Sequence, residues 1–326
     1  MKNRSGQLTV FVLLTALAYF VYKDKWALSD RYTIWRNPPT PAVVELADKT
    51  DMSILGRRIF FASVPSIDNA EELNANCSDI ETTMIILGCH AKGRIHVFNV
   101  RDERIADAKY VTSAHEMLHA AYTRLSKSDR DRVGELLEEA YQRAGRNDEL
   151  RDVMAEYARV EPGQRQNELH SILGTEYADL SPELEEYYAR YFTDRRKIVD
   201  MAVRYRKVFK NLEAEQVRLK EQLDRLSAEI KADASLLDTT VFWLNRDIEA
   251  FNVKEFHSQY EFNAEKAILI EREREIDRLA TRIKAHIAQY DRWVEEYNNL
   301  GGKIEQLNYQ LDSKSQTGVR AIKIER

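Results

Sequence analysis

No proline occurs after Pro182, and only Gly301, Gly302 and Gly318 interrupt the rest of the chain. Without helix breakers, and with charged residues at 32% of the chain where about a quarter is usual, such a stretch predicts long, solvated helices. Tyr205, Leu212, Leu219 and Leu226 repeat every seven residues, and Phe209, Leu223, Ile230 and Leu237 occupy the companion positions. Gln216 and Asp233 are the polar lapses. A second set runs through Ile276, Leu279, Ile283, Ile287, Tyr290, Val294 and Tyr297 to Leu300, Ile304, Leu307 and Leu311. Spacings of three and four amid dense charge are the pattern of a coiled coil. Between the sets, Asn245–Asn263 loses the period and gathers Phe251, Phe256, Tyr260 and Phe262. This reads as the tip at which the chain folds back. Residues 183–312 are therefore expected to form an antiparallel helical hairpin; a continuous rod would instead need a second copy. Residues 313–326 read as a disordered tail.

The first half has a different texture. All six prolines lie at or before Pro182. Pro38, Pro39 and Pro41 mark 24–57 as a stalk, with a first helical turn around Val43–Ala47. Ile59–Ala62 ends at Pro65 and reads as a strand. Thr82–Cys89 and Arg94–Val100, separated by Ala91-Lys92-Gly93, read as a β-hairpin. Helices come next at about 108–125, 129–145, 148–160 and 164–173, with Pro162-Gly163 as a break. Ser181-Pro182 is an N-cap and first-turn proline, and from there a helix can run on without interruption. The expected fold class is α+β, mostly α, with a compact domain over 58–182 ahead of the coil.

Ser5–Tyr22 holds no charge over 18 residues, about 27 Å as a helix against a bilayer core of about 30 Å. Lys2 and Arg4 precede it, which places the N-terminus in the cytoplasm and the rest of the chain outside. Tyr19, Tyr22, Trp26, Tyr32 and Trp35 crowd its outer flank as an interfacial aromatic belt would. Residues 1–23 are thus expected to be a transmembrane anchor. A signal peptide cut after Ala16-Leu17-Ala18 is the other reading, although the apolar run continues past that point. Anchor or signal peptide, the remainder of the chain is exported. The two cysteines, Cys77 and Cys89, lie in that exported part, where one disulfide is expected.

Thr112–His119 contains His115-Glu116-x-x-His119. Histidines at i and i+4 share a helix face and can present two nitrogens to one metal, with the glutamate beside its water. On this motif the chain resembles the zinc metallopeptidases known as zincins. The resemblance implies Zn2+ as cofactor, His115 and His119 as ligands, Glu116 as general base, and a peptide or protein substrate lying along an edge strand before the motif helix. Arg94–Val100 is expected in that place. The residues after His119 lack the third histidine of the metzincins. Gluzincins take a glutamate from a later helix, and there are two candidates. Asn167-Glu168-x-x-Ser171 is similar to a stretch of thermolysin-like enzymes, without their aspartate four residues beyond the ligand, where Ile172 stands. Glu176-Tyr177-Ala178-Asp179 is similar to one in integral-membrane gluzincins, one residue short. Glu168 is expected to be the third ligand, Glu176 the alternative, with His170 a further one. His170, Tyr110 and Tyr177 are the candidates to share a developing oxyanion.

The isolated His90, His96, His257 and His286 read as structural or surface residues. A net charge of −5 argues against nucleic acid as a partner. No nucleophile elbow, P-loop or dinucleotide fingerprint is present. Two functions are compatible with these residues: an exported, membrane-anchored zinc metallopeptidase with a coiled-coil arm, or a non-catalytic scaffold whose coil binds a protein partner or a second copy.

Overall fold

The computed structural model describes residues 26–78, 85–144, 148–160 and 163–317. The expected anchor, residues 82–84 of the expected hairpin and the end of the tail lie outside these. Among the described residues no helix is long and apolar enough to cross a membrane. Backbone contacts divide the chain into two units, one running to Val208 and resuming at Leu307, the other Phe209–Gln306.

The first unit begins with α1 (Ala27–Arg36), α2 (Pro41–Lys49) and α3 (Ile54–Ala62). The stretch read as a stalk is therefore structured, and Val43, Leu46, Ala47 and Met52 lie in the core. Thr40 caps α2 by accepting from Val43 N, with Pro41 in the first turn. Ile59–Ala62 is helix, not strand. A short apolar run does not distinguish the two, and here Ser53 decides by capping: its Oγ accepts from Gly56 N at 3.1 Å.

A three-stranded sheet comes next: β1 (Ser66–Asp68), then, after α4 (Ala70–Asn76), β2 (Gly88–Ala91) and β3 (Arg94–Phe98). The expected hairpin is present as β2 and β3, turning through Lys92 and Gly93, both at positive φ. The strand order is β1-β3-β2, with β1 parallel to β3 and β2 antiparallel to it. Arg94–Phe98 is thus the central strand rather than an edge. Cys77 and Cys89 form the expected disulfide, tying the end of α4 to β2.

The motif helix, α5 (Asp107–Thr123), is buried on almost every side. That is what a helix at the centre of a core requires. It packs on β2, β3, α2, α3 and above all on α8 (Arg165–Glu176), which follows α6 (Lys127–Ala144) and α7 (Asp148–Val160) in the chain. After α9 (Pro182–Tyr188) the expected uninterrupted helix is broken, and α10 (Arg196–Val253) starts afresh. Tertiary contacts override local propensity here. Thr193 N donates to Asp51 O at 2.8 Å, Ser53 N to Tyr191 O at 2.8 Å, and Met52 bridges to Phe192. Buried Arg195 pairs with Glu185 and donates to the carbonyls of Tyr177 at 2.6 Å and Ala178 at 3.2 Å.

The second unit is formed by the bulk of α10 and of α11 (Gln259–Leu311). Arg282 clamps Asp233 at 2.6 and 2.7 Å, Arg272 pairs with Asp247, and Lys254 pairs with Glu265. These pairs nest about the turn at 254–258, so the helices run antiparallel. The polar lapse at Asp233 is answered by Arg282 across the hairpin. Phe251, Phe256 and Phe262 cluster at the tip with centroids 5.0–5.2 Å apart. The tail was expected to be disordered, yet Ser313–Gln316 forms α12 against α4, where Asn74 Nδ2 donates to Ser313 O at 3.0 Å.

Candidate metal centre

Helix α5 presents His115 and His119 one turn apart, with ring centroids at 4.7 Å. Glu168 enters from the first turn of α8, where the helix N-terminus favours a carboxylate. Gly163, two residues ahead of that helix, has φ +99, a conformation other residues rarely adopt. The two helices meet closely at Gly174, where a Cβ would stand 2.4 Å from Leu118 Cδ1. Arg195 also donates to the Leu173 carbonyl at 3.3 Å, holding the far end of α8.

The result is a convergence of three donors. Glu168 Oε1 is 3.4 Å from His119 Nε2, and Glu168 Oε2 is 3.7 Å from His115 Nε2. All three ligand atoms fall within 4.8 Å of one another, a group that could hold a metal ion. Tetrahedral ligands at about 2.1 Å from zinc are about 3.4 Å apart, which the two glutamate–histidine separations approach. Glu168 Oε2 is buried without a hydrogen-bond partner. Leaving such an atom unpaired costs about 1–3 kcal/mol, or more when it is charged, and a cation between it and the histidines removes that cost. Burial works to raise the Glu168 carboxyl. Electrostatic attraction to His119 and His115, with the Tyr157 hydroxyl adding to it, outweighs burial and holds the group below the ordinary carboxylate range.

His119 Nδ1 lies 3.0 Å from Asn167 Oδ1. The Asn167 amide donates from Nδ2 to Gln164 Oε1 at 3.2 Å, which orients Oδ1 as acceptor toward the ring. The imidazole proton then sits on Nδ1, leaving the Nε2 lone pair facing Glu168 and His115.

These side chains line a cleft of about 500 Å³, together with Glu116, Tyr157, His90 and Tyr205. Glu116 is 5% exposed. The strand along the cleft is β2, an outer strand of the sheet, in place of the expected Arg94–Val100. Gly88 lets it approach α5: a Cβ there would stand 2.5 Å from Thr112 Cγ2 and 3.2 Å from Glu116 Cγ. Burial, then the charges of His119 and Arg124, lower His90 from 6.5 to about 4, so its imidazole is neutral near pH 7.

The other expected residues lie elsewhere. Glu176 is eight residues beyond Glu168, about 12 Å along the helix axis; it borders the cleft and pairs with Arg206. His170 is fully buried behind the site, with Nε2 2.9 Å from Tyr187 Oη. Tyr110 donates to Glu45 at 2.9 Å. Burial and that carboxylate push its hydroxyl up to about 12. His170, Tyr110 and Tyr177 are not among the cleft-lining residues. Tyr157 and His90 are, and nothing in their sequence context marked them. His96 is structural, with Nδ1 2.8 Å from Asp68 Oδ2. No family model, curated protein or solved structure matches the chain.

Proposed function

We propose that the chain is a zinc metallopeptidase, exported and held to a membrane by residues 1–23, with His115, His119 and Glu168 as its zinc ligands. The observation that carries this reading is the convergence of those three donors beside the buried carboxylate of Glu116 in one cleft. Two histidines and a glutamate make a catalytic donor set that keeps a fourth position open. Zinc held there supplies a Lewis acid and makes water acidic enough to lose a proton near neutral pH. A polypeptide strand lies along β2, an edge strand of the sheet whose residues line the cleft. A Glu116 carboxylate oxygen takes the proton of the attacking water and hands it to the leaving amine nitrogen. The neutral His90 has one N–H to offer the carbonyl oxygen as charge develops on it. The Cys77–Cys89 disulfide supports an oxidising compartment.

The test is Glu116→Gln in the full-length chain, assayed for zinc content and for cleavage of an unfolded protein. Zinc is expected to stay and cleavage to be lost. Cleavage at the wild-type rate would overturn the assignment of the base. A second reading, a coil that works by binding a protein partner, draws on exposed Phe242, Trp243 and Tyr260 in the second unit. A cellular role that survives Glu116→Gln would favour it.

A further inference from the structure

Helix α1 is inside out. Its acid, Asp30, is 2% exposed, while Leu28, Tyr32 and Trp35 are 62%, 64% and 75% exposed. A helix whose outer face met only water would turn these residues the other way. The exposed three recur at spacings of four and three, which puts them on one face, and Tyr32 and Trp35 rest against each other at 6.1 Å. Arg31 and Arg36 are exposed with them, and no acid of α1 is.

The inner face is bolted down. Arg124 donates to Asp30 Oδ1 at 3.0 Å and Oδ2 at 2.9 Å, and Arg58 approaches Oδ2 at 3.4 Å. The Arg124 guanidinium also lies over the Trp26 ring at 5.2 Å. Arg124 is the C-cap of α5, the helix carrying His115 and His119. The orientation of α1 is thereby fixed to that of the metal-centre helix.

We infer that the Leu28–Tyr32–Trp35 face of α1 is seated in the headgroup layer of a lipid bilayer, fixing how the first unit stands on the membrane. The inference rests on the anchor reading of residues 1–23. The uncharged run ends at Tyr22, four residues before Trp26, and four residues span at most about 14 Å. The face is thus held next to the bilayer. Aromatic side chains with interspersed arginines are the composition that settles at a membrane interface.

The test uses the full-length chain with Trp26, Trp243 and Trp293 replaced by Phe, so that Trp35 is the sole tryptophan. It is reconstituted in phosphatidylcholine vesicles containing a minority of phosphatidylglycerol. The acyl chains are brominated either near the headgroup or near the methyl end. Loss of Trp35 emission with the shallow label, and less with the deep one, is expected. The difference in quenching between the wild type and Trp35→Phe provides the same readout without the other substitutions. A chain that floats with the vesicles while Trp35 stays unquenched leaves the anchor standing and overturns the seating, giving the face to a protein partner or a second copy. A chain that does not float removes the anchor, and the seating with it.

Discussion

Asn167→Ala tests how the centre is wired. The amide touches no metal ligand atom; it fixes the His119 tautomer by accepting from Nδ1 at 3.0 Å. Without it the ring can protonate Nε2 and turn away from Glu168. Partners of this kind are worth about 10–100-fold in metal affinity. A neutral hydrogen bond of ordinary length, in a half-buried setting, belongs at the low end. Zinc affinity is therefore expected to fall about tenfold, or about 1.4 kcal/mol. Asn167→Asp, which places a carboxylate against the same N–H, is expected to bind zinc at least as tightly as the wild type. Competition against a chromophoric chelator measures both, with circular dichroism confirming the fold. Wild-type affinity in Asn167→Ala would refute the reasoning.

Three further outcomes are expected. Gly174→Ala sets a methyl 2.4 Å from Leu118 Cδ1 and 2.7 Å from Tyr188 Cε1; overpacking there is expected to cost about 1–3 kcal/mol in urea unfolding. Reducing the Cys77–Cys89 disulfide, a closure of sequence separation 12, should lower stability by about 3 kcal/mol, read as the shift in unfolding midpoint with and without dithiothreitol. Burial, then the charges of His119 and His115, depress His170 from 6.5 to about 3, so between those values the unfolded chain binds the extra proton and stability rises with pH. Acidification through that window is expected to remove at most about 1.4 kcal/mol per pH unit, and His170→Gln to flatten the slope.

Much of the fold was legible in the residues because local pattern and tertiary role coincide. The spacing of His115 and His119 is a helical repeat, and it pointed to α5. The heptads from Leu212 to Leu226 pointed to the long helices, because a coil buries the very stripe that repeats. Glu168 could be named from Asn167-Glu168-x-x-Ser171, yet only the packing of α5 on α8 at Gly174 brings its carboxylate to the histidines. The misread segments are those in which distant contacts decide. Ile59–Ala62 is short, apolar and followed by a proline, and neither period nor length separates strand from helix. Strand β1 has three residues, too few for any alternation. The break after Tyr188 is made by Asp51, Met52 and Ser53, far away in sequence. Tyr157 and His90 reach the cleft by packing alone. Helix α1 was opaque because its pattern is inverted, with Asp30 inside and the aromatic residues outside.

The most direct measurement is zinc per chain by elemental analysis after gel filtration of the full-length protein, with His119→Ala, Glu168→Ala and Glu176→Ala alongside. Stoichiometric zinc in the wild type and in Glu176→Ala, lost from His119→Ala and Glu168→Ala, is the expected result. A folded wild type free of zinc, or a Glu168→Ala chain that keeps it, would contradict the His115–His119–Glu168 centre.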